Sequence, residues 1–157
     1  MLDGASRLEE LVEAAVQDNQ KALGITDHGN MYGVLPFYRT CIDKGVKPII
    51  GTEAYMAYES RHERPRRGRG GVDDSGGNTD EGRKLYYHLT LLAENNTGYK
   101  NLIQLASRAF MEGYYYKPRI DWEVLNDHNK GVIATTGCLG GQVLQALLRD
   151  DEEEAYE

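Results

Sequence analysis

The stretch Ala22-Leu23-Gly24-Ile25-Thr26-Asp27-His28-Gly29-Asn30-Met31-Tyr32-Gly33 is the centre around which the rest of the chain is organised. Its first four residues predict a short buried strand. A carboxylate, an imidazole and a glycine follow at the C-terminal end of that strand. In folds built from parallel strands, ligands and metal ions bind at this end. The alternative is an ordinary turn into a helix, with Asp27 or Asn30 capping the helix and His28 partly exposed.

The composition is that of an ordinary globular domain. The chain has 157 residues, 40% of them hydrophobic and 27% charged, which is enough for one domain with its own core. The net charge of -7 argues against a large basic surface for nucleic acid. No apolar run is long enough to span a membrane, and the N-terminus does not resemble a signal peptide. With only Cys41 and Cys138 as cysteines, we expect reduced thiols in a cytoplasmic protein.

Helices and strands are predicted to alternate on either side of the opening stretch. A capping box of Ser6 and Glu9 and apolar residues at helical spacing predict a helix over 6–19. A second helix is predicted from Val34, with Gly45 as its stop. Further strands are predicted at 46–50, 86–93 and 132–136. Because one helix separates the first two strands, we expect them to pair in parallel.

Residues 58–84 have a different composition from the rest of the chain. Almost no apolar residue occurs there, and glycines and aspartates follow a group of arginines: Arg61, Arg64, Arg66, Arg67 and Arg69. This composition predicts a flexible surface insertion rich in Arg and Gly. The alternative is that the arginines contact the phosphates of a nucleic acid.

Several residues of metal-binding type occur near the ends of predicted elements: Asp3 before the first helix, His28 and Glu53 after the first two strands, His88 within the third strand, and Cys138 after the fourth. Imidazole, carboxylate and thiolate together suit zinc, manganese or iron better than magnesium or calcium. Such ions lower the pKa of a bound water and hold a phosphate for hydrolysis. The alternative is structural, with His88 in the core, Glu53 an exposed strand end and Cys138 a small apolar filler.

Five motifs carry a resemblance to a known family: residues 25–33 (ITDHGNMYG), 45–55 (GVKPIIGTEAY), 88–93 (HLTLLA), 113–121 (GYYYKPRID) and 136–141 (TGCLGG). They resemble the PHP (polymerase and histidinol phosphatase) domain family. Within it they are most similar to the PHP domains that begin the alpha subunits of bacterial replicative DNA polymerase III. The resemblance covers nearly the whole chain except the Arg/Gly-rich insertion, which looks like an insertion of actinobacterial type.

The resemblance implies an α/β fold, a partial distorted TIM-like barrel of roughly the first four to five strands. It also implies a set of metal ligands, namely Asp3, His28, Glu53, His88 and Cys138. Asp27 is implied as a carboxylate that either supports these ligands or takes part in catalysis. The family's remaining ligands, in a His-x-His and an Asp-x-His motif, would lie outside this chain. We therefore expect 1–157 to be a fragment of a PHP domain, with the polymerase domains absent.

The function that the resemblance implies is template-directed DNA synthesis in chromosomal replication by the parent protein. The PHP domain would be a metal-dependent 3′–5′ exonuclease for proofreading or a structural support for the polymerase, and the presence of all five ligands favours the exonuclease. Implied cofactors are zinc or manganese in the PHP site and magnesium in the absent polymerase domain. Implied partners are DNA and replisome subunits such as the sliding clamp, with no membrane. A stand-alone metal-dependent phosphoesterase and a scaffold with a vestigial site remain as alternatives.

Overall fold

A computed structural model describes residues 6–66 and 84–156. In chain order its elements are α1 (Leu8–Gln17), β1 (Ala22–His28), α2 (Val34–Lys44), β2 (Lys47–Met56), β3 (Tyr87–Ala93), α3 (Asn96–Met111), β4 (Arg119–Ile120), α4 (Trp122–Asp127), β5 (Val132–Thr135), α5 (Gln142–Leu147) and α6 (Glu152–Tyr156). The predicted α/β fold is confirmed. The first two strands continue beyond their predicted ends, and the short strand β4 was not predicted.

Local backbone chemistry accounts for the ends of several helices. α2 ends at Gly45, whose φ of 73° is left-handed, as predicted from the freedom of glycine to adopt this conformation. α3 begins after Asn95, whose side chain accepts hydrogen bonds from two backbone N–H groups of the first turn. α1 differs from the prediction because Arg7 is its N-cap and makes no side-chain cap bond. The predicted capping box of Ser6 and Glu9 is therefore wrong.

The strands form one sheet in the order β1-β2-β3-β5, with β4 paired to β2. β1 and β2 are parallel, as predicted. β3 runs antiparallel to both β2 and β5, which departs from the all-parallel order of a regular TIM barrel. As a result, the first residues of β3 lie at the edge of the sheet where β1, β2 and β5 end. β4 pairs with the last two residues of β2, beyond the end of β1.

Helices cover one face of this sheet. α1 and α2 pack on β1 and β2 around Phe37 and Cys41, and α3 and α4 pack on β2 and β3 around Leu91 and Leu102. Side chains alternate between the two faces of a strand. The residues next to these core residues along β1, β2 and β3 therefore point to the opposite face, which the helices do not cover. The residues on that opposite face include His28, Glu53, Tyr55 and His88.

The start of the Arg/Gly-rich stretch is packed against the domain. Arg61 is only 7% exposed, and its guanidinium donates hydrogen bonds to Glu112 at 2.7 Å, Asp121 at 2.8 Å and Glu123 at 2.9 Å. For residues 58–66 the predicted flexible insertion is therefore wrong, because a buried guanidinium holds this segment to α3 and α4. The acidic partners lie 51 to 62 residues away in sequence, so no local pattern indicates the contact. Residues 67–83, the rest of that prediction, lie outside the described residues.

Candidate metal centre

Three ionisable side chains converge at the edge of the sheet where β1 and β2 end. His28 is the last residue of β1 and pairs in register with Glu53 of β2. His88 is the second residue of β3 and reaches the same edge because β3 runs in the opposite direction. One ligand-type atom from each residue lies within 4.8 Å of the other two. We refer to His28, Glu53 and His88 as the His–Glu–His cluster.

The carboxylate of Glu53 lies between the two imidazoles. Its Oε1 is 2.6 Å from Nδ1 of His88, and its Oε2 is 3.6 Å from Nε2 of His28. The hydrogen bond with His88 is the main cause that lowers the pKa of Glu53, and it outweighs the effect of burial. Electrostatic interaction with the two imidazoles acts in the same direction. The carboxylate is therefore held ionised, the state in which it can bind a cation.

The two ring nitrogens of His88 have different surroundings. Because Nδ1 faces a carboxylate, it carries the proton in the neutral ring, and the lone pair is then on Nε2. The residue is 7% exposed, and within the described part of the chain its Nε2 has no hydrogen-bond partner. A buried polar atom without a partner is costly. A carboxylate on one nitrogen of an imidazole and a metal ion on the other is a recurrent arrangement in metal sites.

The loop after β5 brings a thiol to the same place. Sγ of Cys138 is 3.7 Å from Oε1 of Glu53. The loop is fixed to β3 by a 2.9 Å hydrogen bond from the backbone N–H of His88 to the carbonyl of Gly140. A β-carbon at Gly140 would lie 3.3 Å from the His88 ring, so the loop packs directly on this imidazole. Cys138 thus adds a soft donor beside the His–Glu–His cluster.

Asp27 lies on the other face of β1, next to α2. Its Oδ2 accepts a 2.7 Å hydrogen bond from the N–H of Gly33, the N-cap residue of α2. Asn30 supports the same turn, since its Nδ2 donates to the carbonyl of His28 at 2.9 Å. The structure therefore places the Asp27 carboxylate at the entry to α2, on the face of β1 opposite to His28. Among the roles predicted for Asp27, these contacts correspond to helix capping and to support of the turn.

The donor set fits a divalent transition metal. Two imidazoles, a carboxylate and a nearby thiol are the ligands that zinc takes in proteins, and manganese and iron also accept imidazole and carboxylate. Magnesium and calcium prefer a site built of oxygen atoms alone. The buried lone pair on Nε2 of His88 is the observation in this structure that a bound cation would explain.

The structure thus brings together three of the predicted ligands and places Cys138 beside them, while Asp3 lies outside the described residues. Sequence reasoning did not identify Tyr55, whose ring centroid lies 5.2 Å from that of His88 and 6.2 Å from that of His28. It also did not identify Thr52, which is buried behind the cluster. Neither residue has a local signal, because only the register of β2 with β1 and β3 places them there.

Comparison with known proteins adds a family to this geometry. The PHP domain family matches residues 1–157. The chain belongs to the PHP domain family. Family membership and the His–Glu–His cluster together support the use of divalent metal ions by this PHP domain. Every helix in the described part of the PHP domain is too short or too polar to cross a bilayer.

The PHP domain is similar to DNA polymerase III alpha subunits from several bacteria. It is 49% identical to that of Thermus aquaticus over 152 residues, which are 96% of this chain and 12% of the relative. It is 46% identical to that of Treponema pallidum over 157 residues, or 100% of this chain and 12% of the relative. It is 44% identical to that of Saccharopolyspora erythraea over 163 residues, a match that covers 100% of this chain and 14% of the relative. The chain therefore spans about an eighth of the length of these relatives.

Among the solved structures that are similar is that of a protein from Bifidobacterium adolescentis described as a metal-dependent phosphoesterase. It shares 16% identity and superposes with a TM-score of 0.41 over 68% of this chain and 29% of its own. A superposition this loose supports neither a detailed fold nor an activity.

Proposed function

We propose that this PHP domain is part of a DNA polymerase III alpha subunit and that its metal centre is a 3′–5′ exonuclease that removes mispaired nucleotides. The observation that carries the proposal is the convergence of the His–Glu–His cluster in a chain up to 49% identical to such subunits. The whole protein would carry out template-directed DNA synthesis in chromosomal replication. Its partners would be DNA and other replisome subunits such as the sliding clamp, in the bacterial cytoplasm.

In this proposal His28, Glu53 and His88 hold a zinc or manganese ion, with Cys138 as a further ligand. Asp3 is a proposed ligand outside the described residues. The bound ion would supply the Lewis acidity for phosphodiester hydrolysis. Glu53 contributes the negative charge that balances the ion, and its carboxylate accepts a hydrogen bond from Nδ1 of His88, which leaves the lone pair of that ring on Nε2. The magnesium ions of DNA synthesis would be bound by a separate polymerase domain.

Asp27 has a supporting role in this proposal. Its carboxylate is engaged with the N–H of Gly33 on the helix side of the sheet. From there it fixes the turn that carries His28 and does not touch the reacting phosphate. A carboxylate that orients a metal ligand from behind contributes to affinity without taking part in the chemistry.

The test compares the full-length gene product with its His28→Ala and Glu53→Ala variants. Loss of a ligand should remove the ion, so degradation of a mismatched 3′ end should fall by orders of magnitude. Primer extension should largely remain, because its own metal-binding carboxylates would lie in another domain. Degradation of the mismatched end, primer extension and metal content are measured in parallel.

Matched controls are His62→Ala and Glu9→Ala, since both of these side chains are exposed. They should leave both activities and the metal content at the wild-type level. If the two cluster variants keep full exonuclease activity, or if the wild type shows none with zinc or manganese, the proposed exonuclease is contradicted. Equal loss of both activities in the cluster variants would instead favour a structural support for the polymerase.

A further inference from the structure

We propose that Thr52 is a positioning residue for the metal centre, because its buried hydroxyl holds the turn that carries His28. Thr52 precedes Glu53 on β2 and is 3% exposed. It lies in register with Asp27 of β1, one position before the pair formed by His28 and Glu53. This inference rests on the proposed metal-binding function of the His–Glu–His cluster.

The hydroxyl of Thr52 is shared between two backbone carbonyls. Its Oγ1 lies 3.0 Å from the carbonyl of Asp27 and 2.9 Å from the carbonyl of Asn30. A hydroxyl has a single hydrogen to donate, so the two acceptors share it in a three-centre bond or take it in turn. One carbonyl belongs to the residue immediately before His28, and the other belongs to the second residue after it. One side chain of β2 therefore fastens both ends of the turn.

Further contacts also restrain the turn that carries His28. The N–H of Gly29 donates to the carbonyl of Glu53 at 2.9 Å, and Asn30 Nδ2 donates to the carbonyl of His28 at 2.9 Å. Gly29 has a φ of 67°, and a β-carbon there would lie 2.7 Å from the ring of Tyr55. The turn is thus held on β2 both by the backbone of Glu53 and by the side chain of Thr52.

Thr52 acts through His28 and not on the ion. Neighbouring residues of a strand point to opposite faces, so Thr52 lies on the helix side of β2 while Glu53 lies on the side of the cluster. Its contribution is to fix the position of the His28 ring, whose Nε2 stands 3.6 Å from Oε2 of Glu53. Contacts that orient a ligand from behind are typically worth about tenfold to a hundredfold in metal affinity.

The experiment measures zinc affinity on the full-length gene product, by competition with a chromophoric chelator, for the wild type and for Thr52→Val and Thr52→Ser. Valine keeps the shape of threonine but removes the donor, so Thr52→Val should raise the dissociation constant by about tenfold to a hundredfold. Serine keeps the hydroxyl and should restore an affinity close to that of the wild type. Thr40→Val is the matched control, because Thr40 also donates to a backbone carbonyl, that of Pro36 in α2; it should bind zinc like the wild type.

The thermal midpoint of each metal-free protein is recorded as well, to separate positioning from folding. A lower midpoint for Thr52→Val with an unchanged dissociation constant would overturn the proposal, because the hydroxyl would then support only the fold. If the valine variant does not fold, Thr52→Ala, which also removes the hydroxyl donor, takes its place with the same expected loss of affinity. A wild type that binds no zinc or manganese overturns both this inference and the proposed function. Unchanged exonuclease in His28→Ala, with zinc affinity lost in Thr52→Val, overturns the proposed function alone.

Discussion

At the scale of the residue, the backbone of Gly29 decides whether His28 can reach Glu53. Gly29 has a positive φ, and a side chain there would collide with Tyr55 and Pro118. Left-handed backbone costs a non-glycine residue about 1–2 kcal/mol, and the collision adds to that cost. The strand can end in a histidine and turn sharply beside β2 only because the next residue has no side chain.

Gly29→Ala is therefore expected to lower the free energy of unfolding by more than Gly45→Ala. Gly45 has a similar φ of 73°, but a β-carbon there meets nothing within 4 Å, so its replacement by alanine should cost only the backbone term of about 1–2 kcal/mol. Urea unfolding of the metal-free proteins measures both changes. Equal losses for the two variants would show that the contact with Tyr55 and Pro118 relaxes at no cost.

At the scale of the element, Asp121 joins α4 to the segment that follows β2. Its carboxylate accepts hydrogen bonds from the N–H of Val124 in α4 at 3.1 Å, the N–H of Arg61 at 2.9 Å and the Arg61 guanidinium at 2.8 Å. Burial pushes the pKa of Asp121 upward, but these hydrogen bonds and the charge of Arg61 outweigh it, so the pKa is lowered. A carboxyl with a lowered folded-state pKa stabilises the fold above its unfolded pKa of about 3.9, and this stabilisation is lost as the pH falls through the folded value.

We expect Asp121→Asn to destabilise the protein at pH 7 by about 3 kcal/mol, because it leaves a buried guanidinium with less compensation. The difference from the wild type should shrink as the pH falls below about 4, where the carboxyl of the unfolded wild type begins to take up a proton, and should be lost as the pH falls through the lower folded-state pKa of Asp121. Asp127→Asn is the control, since this exposed side chain is on the same helix. Urea unfolding across the acid range measures both variants, and a difference that does not change with pH would contradict the ion pair as the cause.

At the scale of the whole molecule, the sheet has a covered face and an open one. The helices bury one face, while the other carries the His–Glu–His cluster and Ile133, which is 48% exposed. The His–Glu–His cluster thus lies on the open face, at the rim of the sheet where β1, β2 and β5 end.

If the full-length gene product carries both activities, a chelator selective for transition metals should separate them. Ortho-phenanthroline in excess magnesium should abolish removal of a mismatched 3′ end and spare primer extension, because nitrogen and thiol ligands suit zinc while magnesium prefers oxygen ligands. Its non-chelating meta isomer should change neither activity, and added zinc or manganese should restore the excision. Excision that persists after the chelator has removed these metals would contradict a transition-metal site.

The sequence by itself determined the features that depend on neighbouring residues. Apolar periodicity predicted most helices and strands, the glycine at position 45 predicted the end of α2, and one intervening helix predicted the parallel pairing of β1 and β2. The sequence also supplied His28, Glu53, His88 and Cys138 as candidate ligands. These predictions succeed because helix periodicity, glycine conformation and short crossovers are local properties of the chain.

Only the tertiary structure decided the direction of β3, the pairing of β4, the burial of Arg61 and the positions of Thr52 and Asp27. Each of these depends on residues far apart in sequence, as in the contact of Arg61 with Asp121, 60 positions away. The direction of β3 has the largest consequence, because it brings the second residue of the strand, His88, to the edge where β1 and β2 end. Strand direction and register place a side chain on one face and at one end of a sheet, and neither is encoded by the spacing of residues along a single strand.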